Sequence, residues 1–202
     1  MTSEEPGVDG EQWVARVAAV QVLSLDGELV RLRNLWSSGP TVTAFLRHFG
    51  CLFCHQMVHD VLAAVPAIVE RGARVVLVGN GSTDEARRFF EAKGLPRDGC
   101  MVLTDPERAS YRAAGAAGGY MKTFFNGGSQ RAFARARAEG HRITGLFGDL
   151  TQLGAVLVTR PPAQLGYLHR SRYAGDHPIM AAVLDAVAAP ATGGTGSSKP
   201  PA

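Results

Sequence analysis

Between Val17 and Ala188, apolar runs of strand length alternate with stretches in which apolar residues recur at helical spacing. Residues 17–25 and 28–32 flank Asp26-Gly27, a dipeptide that readily takes the positive φ values of a tight turn, so the pattern predicts an N-terminal β-hairpin. Residues 41–48 are rich in β-formers, and residues 73–79 are a continuous apolar run of the kind shown by a strand buried on both faces. Between them Cys54, Val58, Val61, Leu62, Val65, Ile68 and Val69 fall at helical spacing, which predicts a helix crossing between two central parallel strands. Pro66 cannot donate to the carbonyl of Leu62, so a kink or a tightened turn is expected there.

Further along, Ser82-Thr83-Asp84-Glu85 has the form of a capping box and opens a helix that should end near Gly94, ahead of Pro96. Residues 100–103 read as a strand, and Asp105-Pro106 as the cap and first position of a short helix reaching about Ala114. Residues 129–139 form a further helical stretch. Residues 156–159 and 164–170 read as a closing strand pair joined across Pro161-Pro162, and 176–188 as a final helix capped by Asp176. The order is β-hairpin, β-α-β-α-β-α, inserted helix, β-β-α. It predicts an α/β fold with a mixed central sheet and helices on both faces. Residues 1–12 are polar and 189–202 are rich in small residues, Gly and Pro, so both are expected to be flexible tails around one domain at 13–188.

The bulk numbers narrow the class. With 46% hydrophobic and 19% charged residues, the composition is that of a soluble globular chain. A net charge of +3 is too mild to argue for nucleic acid. Arg131, Arg135, Arg137 and Arg142 form a basic stretch that reads better as a solvated helix face than as an anion-binding surface. The N-terminus lacks the basic flank and apolar core of a secretion signal, and no run is expected to approach the roughly 18 apolar residues of a bilayer span, so the expected compartment is the cytoplasm, away from membranes.

The chemistry is concentrated in Phe49-Gly50-Cys51-Leu52-Phe53-Cys54. Two of three cysteines lie two residues apart, after a strand and at the start of a helix. In a reducing compartment that pair reads as redox-active or metal-binding. Zinc is disfavoured because the chain has no second Cys-x-x-Cys, so no metal is expected. Helix N–H groups favour a thiolate at Cys51, and Cys54, one turn on, is placed to attack an oxidised Cys51. Cys51 is thus the expected nucleophile and Cys54 the resolving thiol. Cys100, in an apolar strand, reads as structural. Strand alternation puts Arg47 and His48 on opposite faces, so at most one of them is expected to reach Cys51 and stabilise its thiolate. Arg172 and Tyr173, before the last helix, are candidates for binding a peroxide, an acidic substrate or a partner, against a purely structural role in the loop.

Four motifs in order carry a family resemblance: Phe45-Leu46-Arg47-His48-Phe49-Gly50-Cys51-x-x-Cys54, Leu103-Thr104-Asp105-Pro106, the run from Gly148 to Gly154, and the run from His169 to Pro178. Over roughly residues 14–188 the chain resembles the atypical peroxiredoxin-like proteins of the alkyl hydroperoxide reductase C and thiol-specific antioxidant superfamily, in the branch related to selenoprotein U. The resemblance implies a thioredoxin fold, with Cys51 standing where the family's redox cysteine or selenocysteine stands. It also implies two-electron reduction of a peroxide or endoperoxide bond. The reductant would be thioredoxin or a low-molecular-weight thiol, and no bound cofactor is required. A homodimer is compatible with it. The chain departs from typical peroxiredoxins at His48 and Ala44, where they carry threonine and proline, and has Leu52 where the branch often has proline. The thioredoxin cis-proline is missing, the matching segment being Gln152-Leu153-Gly154. Two other readings therefore stay open: a protein disulfide reductase of thioredoxin or glutaredoxin type, and a non-catalytic redox-sensing module.

Overall fold

The computed structural model describes residues 9–116, 118–119, 127–145, 147–162 and 164–189. Its elements run α1 (Asp9–Ala19), β1 (Gln21–Leu23), β2 (Leu29–Arg31), α2 (Leu32–Trp36), β3 (Thr41–Phe45), α3 (Leu52–Glu70) and β4 (Arg74–Gly79). They continue as α4 (Thr83–Glu91), β5 (Cys100–Thr104), α5 (Ala109–Ala114), α6 (Gly127–Ala138), β6 (Ala155–Arg160), β7 (Gln164–Arg170) and α7 (Met180–Ala188). The strands form one sheet of seven in the order β2-β1-β5-β4-β3-β6-β7. β3, β4 and β5 are parallel neighbours, while β6 and β1 pair antiparallel to β3 and β5.

The continuous apolar run in β4 has a direct cause. Alternate side chains go to opposite faces: Val75 and Leu77 join the core beneath α3, α4, α6 and α7, whereas Val76 and Val78 join the core beneath α1, α2 and α5. A strand covered by helices on both sides has no solvent face on which a polar residue could sit. The predicted α/β fold with a mixed sheet is thus the one observed.

Local signals held where the governing groups lie close in sequence. Gly27 has a φ of 85° in the turn between β1 and β2. The Ser82 side chain and the Glu85 backbone N–H, with the reciprocal pair, complete the capping box of α4. Pro66 leaves α3 one continuous element rather than two. The carbonyl of Leu62, which Pro66 cannot serve, accepts instead from Arg97 Nη2 at 3.0 Å.

Other expectations are corrected. Residues 17–19 belong to α1, whose Val14, Val17 and Ala18 pack into the core, so the hairpin is shorter than predicted. The start of that helix, at Asp9, falls within the expected N-terminal tail; residues 1–8 and 190–202 lie outside the described residues. The Asp105 carboxylate accepts from Ser110 N at 2.7 Å and Ser110 Oγ at 2.6 Å, so the chain turns first and α5 begins only at Ala109. Asp176 does not cap the last helix, which opens at Met180; its carboxylate accepts from the N–H and Nε of Arg172 and closes the preceding loop. α3 does meet the length and composition of a bilayer span, with a mean hydropathy of 1.5, contrary to expectation. Of that apolar window 56% is buried inside the protein, as the helix covering the sheet.

One buried group locks the carboxyl ends of β3 and β4. Tyr111, fully buried on α5, donates to the carbonyls of Leu46 (2.6 Å) and Val78 (2.9 Å). Removing the hydroxyl leaves the Leu46 carbonyl short of a partner, so Tyr111→Phe should destabilise the fold by about 1–2 kcal/mol. Equilibrium urea unfolding reads this as a lowered midpoint with an unchanged slope.

Candidate active site

β3 ends at Phe45, and the chain then turns through residues 46–50 to reach α3. Gly50 has a φ of 85°, and a Cβ there would overlap the backbone of Gly145, so both the conformation and the space require glycine. Cys51 follows in extended conformation (φ −69°, ψ 131°) as the residue capping α3. Its carbonyl accepts from Cys54 N at 2.9 Å and His55 N at 3.1 Å, so helical bonding begins at the cysteine itself. The N–H groups and positive end of the helix dipole therefore face the region of this thiol.

Arg47 supplies the second source of positive charge. It is 6% exposed, and its Nη1 lies 2.9 Å from Cys51 Sγ. The same guanidinium donates from Nε to the Gln152 carbonyl (3.1 Å) and from Nη2 to the Leu150 carbonyl (3.0 Å), and it lies 5.7 Å from the Phe53 ring centre. The loop that offers those carbonyls is itself tied down. Asn80 bridges the Arg47 carbonyl and the Asp149 N–H, and the Asp149 carboxylate accepts from Thr151 N and Oγ1 and pairs with Arg108.

Burial opposes ionisation of Cys51. Hydrogen bonds from Cys54 and His48 and the charges of Arg47 and His48 outweigh it, holding this thiol well below its ordinary value. Cys54 moves the opposite way: burial, then its hydrogen bond to Cys51, then the charge on Cys51 push it well above the ordinary value. The two thiols are thus driven apart in acidity, Cys51 being the one that ionises first, and both cysteines are unbridged in this structure. Arg47 and His48 both reach Cys51, contrary to the expectation of at most one. The reason is that the strand ends at Phe45, and alternation no longer governs the turn beyond it. The Nδ1 of His48 lies 3.0 Å from the Phe49 carbonyl, so it carries the proton and donates there.

Cys51 is 5% exposed and opens onto a cavity of about 590 Å³ together with Arg47, His48, Leu52, Phe53 and Leu150. On the other side of Gly50, His55 Nε2 meets Thr144 Oγ1 at 2.8 Å, and Lys93 donates to its Nδ1 at 2.7 Å. Burial and then the Lys93 charge push His55 down to about 4, so it is neutral and donates to Thr144. Thr144 N also donates to the Gly50 carbonyl (2.9 Å), which seats residues 141–145 against the turn.

Arg172 and Tyr173 are not part of this site. The Arg172 side chain is 71% exposed and paired with Asp176, and the Tyr173 ring packs on Gly128. Neither lines the cavity. Cys100 is buried in β5, where burial pushes its thiol up to about 11, in keeping with a structural role. No group of metal-ligating side chains occurs among the described residues. The sequence reading missed the carbonyls of Leu150 and Gln152, together with Asn80. Their signal was the run from Gly148 to Gly154, but a backbone acceptor leaves no mark on residue identity.

A reduced cysteine pair of opposed acidity, at the start of the helix that follows a central strand, defines a thiol oxidoreductase of thioredoxin fold. Residues 61–173 match the AhpC/TSA antioxidant enzyme family. The chain is 31% identical over 194 residues to peroxiredoxin-like 2C of Mus musculus, covering 88% of this chain and 81% of that protein. It is 28% identical to the prostamide/prostaglandin F synthase of Bos taurus, covering 86% and 87%. Xanthomonas campestris peroxiredoxin Q has the same fold, with a TM-score of 0.60 at 16% identity over 86% of this chain and 92% of that one. The chain belongs to the AhpC/TSA antioxidant enzyme family and is a thiol-dependent oxidoreductase acting in peroxide chemistry. The segment matching the family begins at Val61, beyond both cysteines, so their individual roles rest on the geometry above.

Removing the Arg47 charge should raise the pKa of Cys51. Iodoacetamide labelling, mapped to Cys51 by mass spectrometry, should hold its plateau rate well below pH 8.5, the ordinary thiol value of about 8.5. In Arg47→Ala the inflection should move up by about one unit or more. An unmoved inflection would show that Arg47 does not set the charge of this thiol.

Proposed function

We propose that Cys51 is the nucleophile of a peroxide- or endoperoxide-reducing enzyme and that Cys54 resolves the oxidised form. The observation that carries this reading is the 2.9 Å contact of the carbonyl-anchored Arg47 guanidinium with Cys51 Sγ, inside a cavity. The lowered pKa of Cys51 favours the thiolate, the form that attacks an O–O bond. In the first step Sγ attacks one peroxide oxygen, an S–O bond forms and the O–O bond breaks. The departing oxygen leaves with the electron pair of that bond and takes a proton to become an alcohol or water. Cys51 is then a sulfenic acid. For an endoperoxide both oxygens stay on one carbon skeleton, and the sulfur is joined to it until resolution.

Cys54 completes the cycle. Once Cys51 is oxidised its negative charge is gone, so two of the influences that held Cys54 protonated disappear with it. The Cys54 thiolate attacks the Cys51 sulfur, a disulfide forms, and water or the substrate alcohol leaves. An external thiol reductant returns both cysteines to the starting state by thiol–disulfide exchange. The near-complete burial of Cys51 favours a small substrate entering a cavity over a folded protein presenting a disulfide, and so favours peroxide reduction over a protein disulfide reductase.

Stopped-flow mixing of the reduced protein with hydroperoxide should show oxidation far faster than that of a free thiol. Cys51→Ser should lower turnover by at least about a thousandfold, as loss of a nucleophile does. Cys54→Ser should permit the first step and accumulate a sulfenic acid that dimedone captures. Rapid insulin-disulfide reduction with peroxide oxidation no faster than a free thiol's would overturn the assignment in favour of disulfide reduction.

A further inference from the structure

Breaking an O–O bond leaves one oxygen with an extra electron pair, and an alkoxide or hydroxide departs slowly unless a proton reaches it as the bond breaks. Few groups around Cys51 can supply that proton. Arg47 is not one of them: a guanidinium does not give up a proton in proteins, and its three nitrogens already serve two carbonyls and the sulfur. The Cys54 thiol is pushed well above its ordinary value, which makes it a weaker acid. His55 and His177 are both pushed down to about 4, chiefly by burial, so each is neutral at pH 7, and neither lines the cavity in front of the sulfur.

His48 differs from all of these. It is 5% exposed and lines the cavity beside Arg47 and Cys51. Histidine is the side chain that takes up and releases a proton near neutral pH, and the bond made by one ring nitrogen decides what the other can do. Here Nδ1 donates to the Phe49 carbonyl at 3.0 Å, which fixes the ring and leaves the proton on Nε2 as the one free to move. No hydrogen bond from Nε2 to a protein oxygen or nitrogen occurs among the described residues. The charge on His48 and the Cys51 thiolate favour one another, so the sulfur that is ready to attack also keeps its neighbour protonated.

We propose that His48 is the general acid of the reaction, its imidazolium giving the Nε2 proton to the leaving oxygen while Cys51 Sγ attacks the other. The assignment rests on the reading of Cys51 as nucleophile and adds to it the source of the proton. With a hydroperoxide the S–O bond forms at the terminal oxygen, which keeps its hydrogen. The O–O bond breaks, its electron pair goes to the inner oxygen, and the Nε2 proton follows. Thiolate, imidazolium and hydroperoxide thereby become sulfenic acid, neutral imidazole and alcohol. Cys54 then forms the disulfide, its thiol hydrogen leaving with the sulfenic oxygen and hydrogen as water. When two equivalents of an external thiol reopen the disulfide, Cys51 returns as a thiol, and the proton it loses on ionising restores the imidazolium. The proton that His48 spends on the product is thus returned to it by the reductant through Cys51.

The test uses the full chain and three peroxides that differ in the oxygen they release. tert-Butyl hydroperoxide must expel an alkoxide and hydrogen peroxide a hydroxide, whereas peracetic acid expels acetate, a weak base that needs no proton. Stopped-flow rate constants are expressed per Cys51 thiolate, with the ionised fraction of each variant taken from its iodoacetamide labelling curve. His48→Asn keeps an N–H donor near the place of Nδ1 and lacks Nε2; His48→Gln keeps an N–H donor near Nε2 that cannot be given up. Both should lower the rate constants for tert-butyl hydroperoxide and hydrogen peroxide by about a hundredfold or more, the usual worth of a general acid, and that for peracetic acid by less than about tenfold. Equal losses for all three peroxides would show that His48 acts on the sulfur or the fold, and would overturn the proposal while leaving Cys51 as nucleophile. Recovery of the two slow rates in His48→Gln would overturn it as well, since a fixed hydrogen bond would then suffice. A wild-type Cys51 that none of the three oxidises would instead sink the nucleophile reading, and the proposal with it.

Discussion

The guanidinium of Arg47 sits between the Cys51 sulfur and two backbone carbonyls, and most of what surrounds it exists to keep it there. A buried cation is costly unless its donors are satisfied and a counter-charge is near. Arg47 meets both terms by giving two donors to the carbonyls of Gln152 and Leu150 and a third to the thiolate. Lysine has a single nitrogen and no rigid fork, and could not hold three acceptors set apart in this way. The geometry therefore requires the loop at 148–154 to be fixed, which explains the investment of Asn80, Asp149, Thr151 and Arg108 in holding it.

Burial acts on both cysteines in the same sense, yet they end on opposite sides of the ordinary thiol value. The difference is what each sulfur faces. Cys51, at the helix start, receives the hydrogen bonds of Cys54 and His48 and the charge of Arg47; Cys54, one turn into α3, receives the hydrogen bond with Cys51 and then the negative charge of that sulfur. Because the second shift depends on the first, the pair imposes an order on its own chemistry. Cys54 is held toward the thiol for as long as Cys51 carries its charge, and loss of that charge relaxes the restraint.

Much of the fold was legible because its causes are local or periodic. The apolar run of β4, the helical spacing of α3 and the Ser82 capping box each act within a few residues of the pattern that announces them. The position of Cys51 at a strand-to-helix junction followed from the same patterns. What escaped was set by distant partners. Asp105 and Asp176 look like helix caps in sequence, but Ser110 and Arg172 claim their carboxylates first. Arg172 and Tyr173 stand in one of the motifs that carry the family resemblance and still do not line the cavity, because Arg172 pairs with Asp176 and the Tyr173 ring packs on Gly128 of α6. The convergence of Arg47 and His48 was missed because the alternation rule was carried past the last strand residue.

The turn that breaks this alternation is itself imposed by the core. Phe49, fully buried, places its ring where a Cβ on Gly79 would overlap it, and packs against Phe89 and Phe90 at centroid distances of 5.1 and 5.5 Å. Only a bare backbone at the end of β4 leaves room for that ring. With Phe49 anchored below the sheet's carboxyl edge and Gly50 taking a conformation closed to other residues, the chain between β3 and α3 has little freedom left. The residues on either side of Phe49 are then delivered together: Arg47 toward the loop carbonyls, His48 toward its neighbour's carbonyl, Cys51 onto the helix start. Reactivity at Cys51 is in this sense a consequence of packing, since the aromatic ring that completes the core also fixes the position from which the cation meets the sulfur.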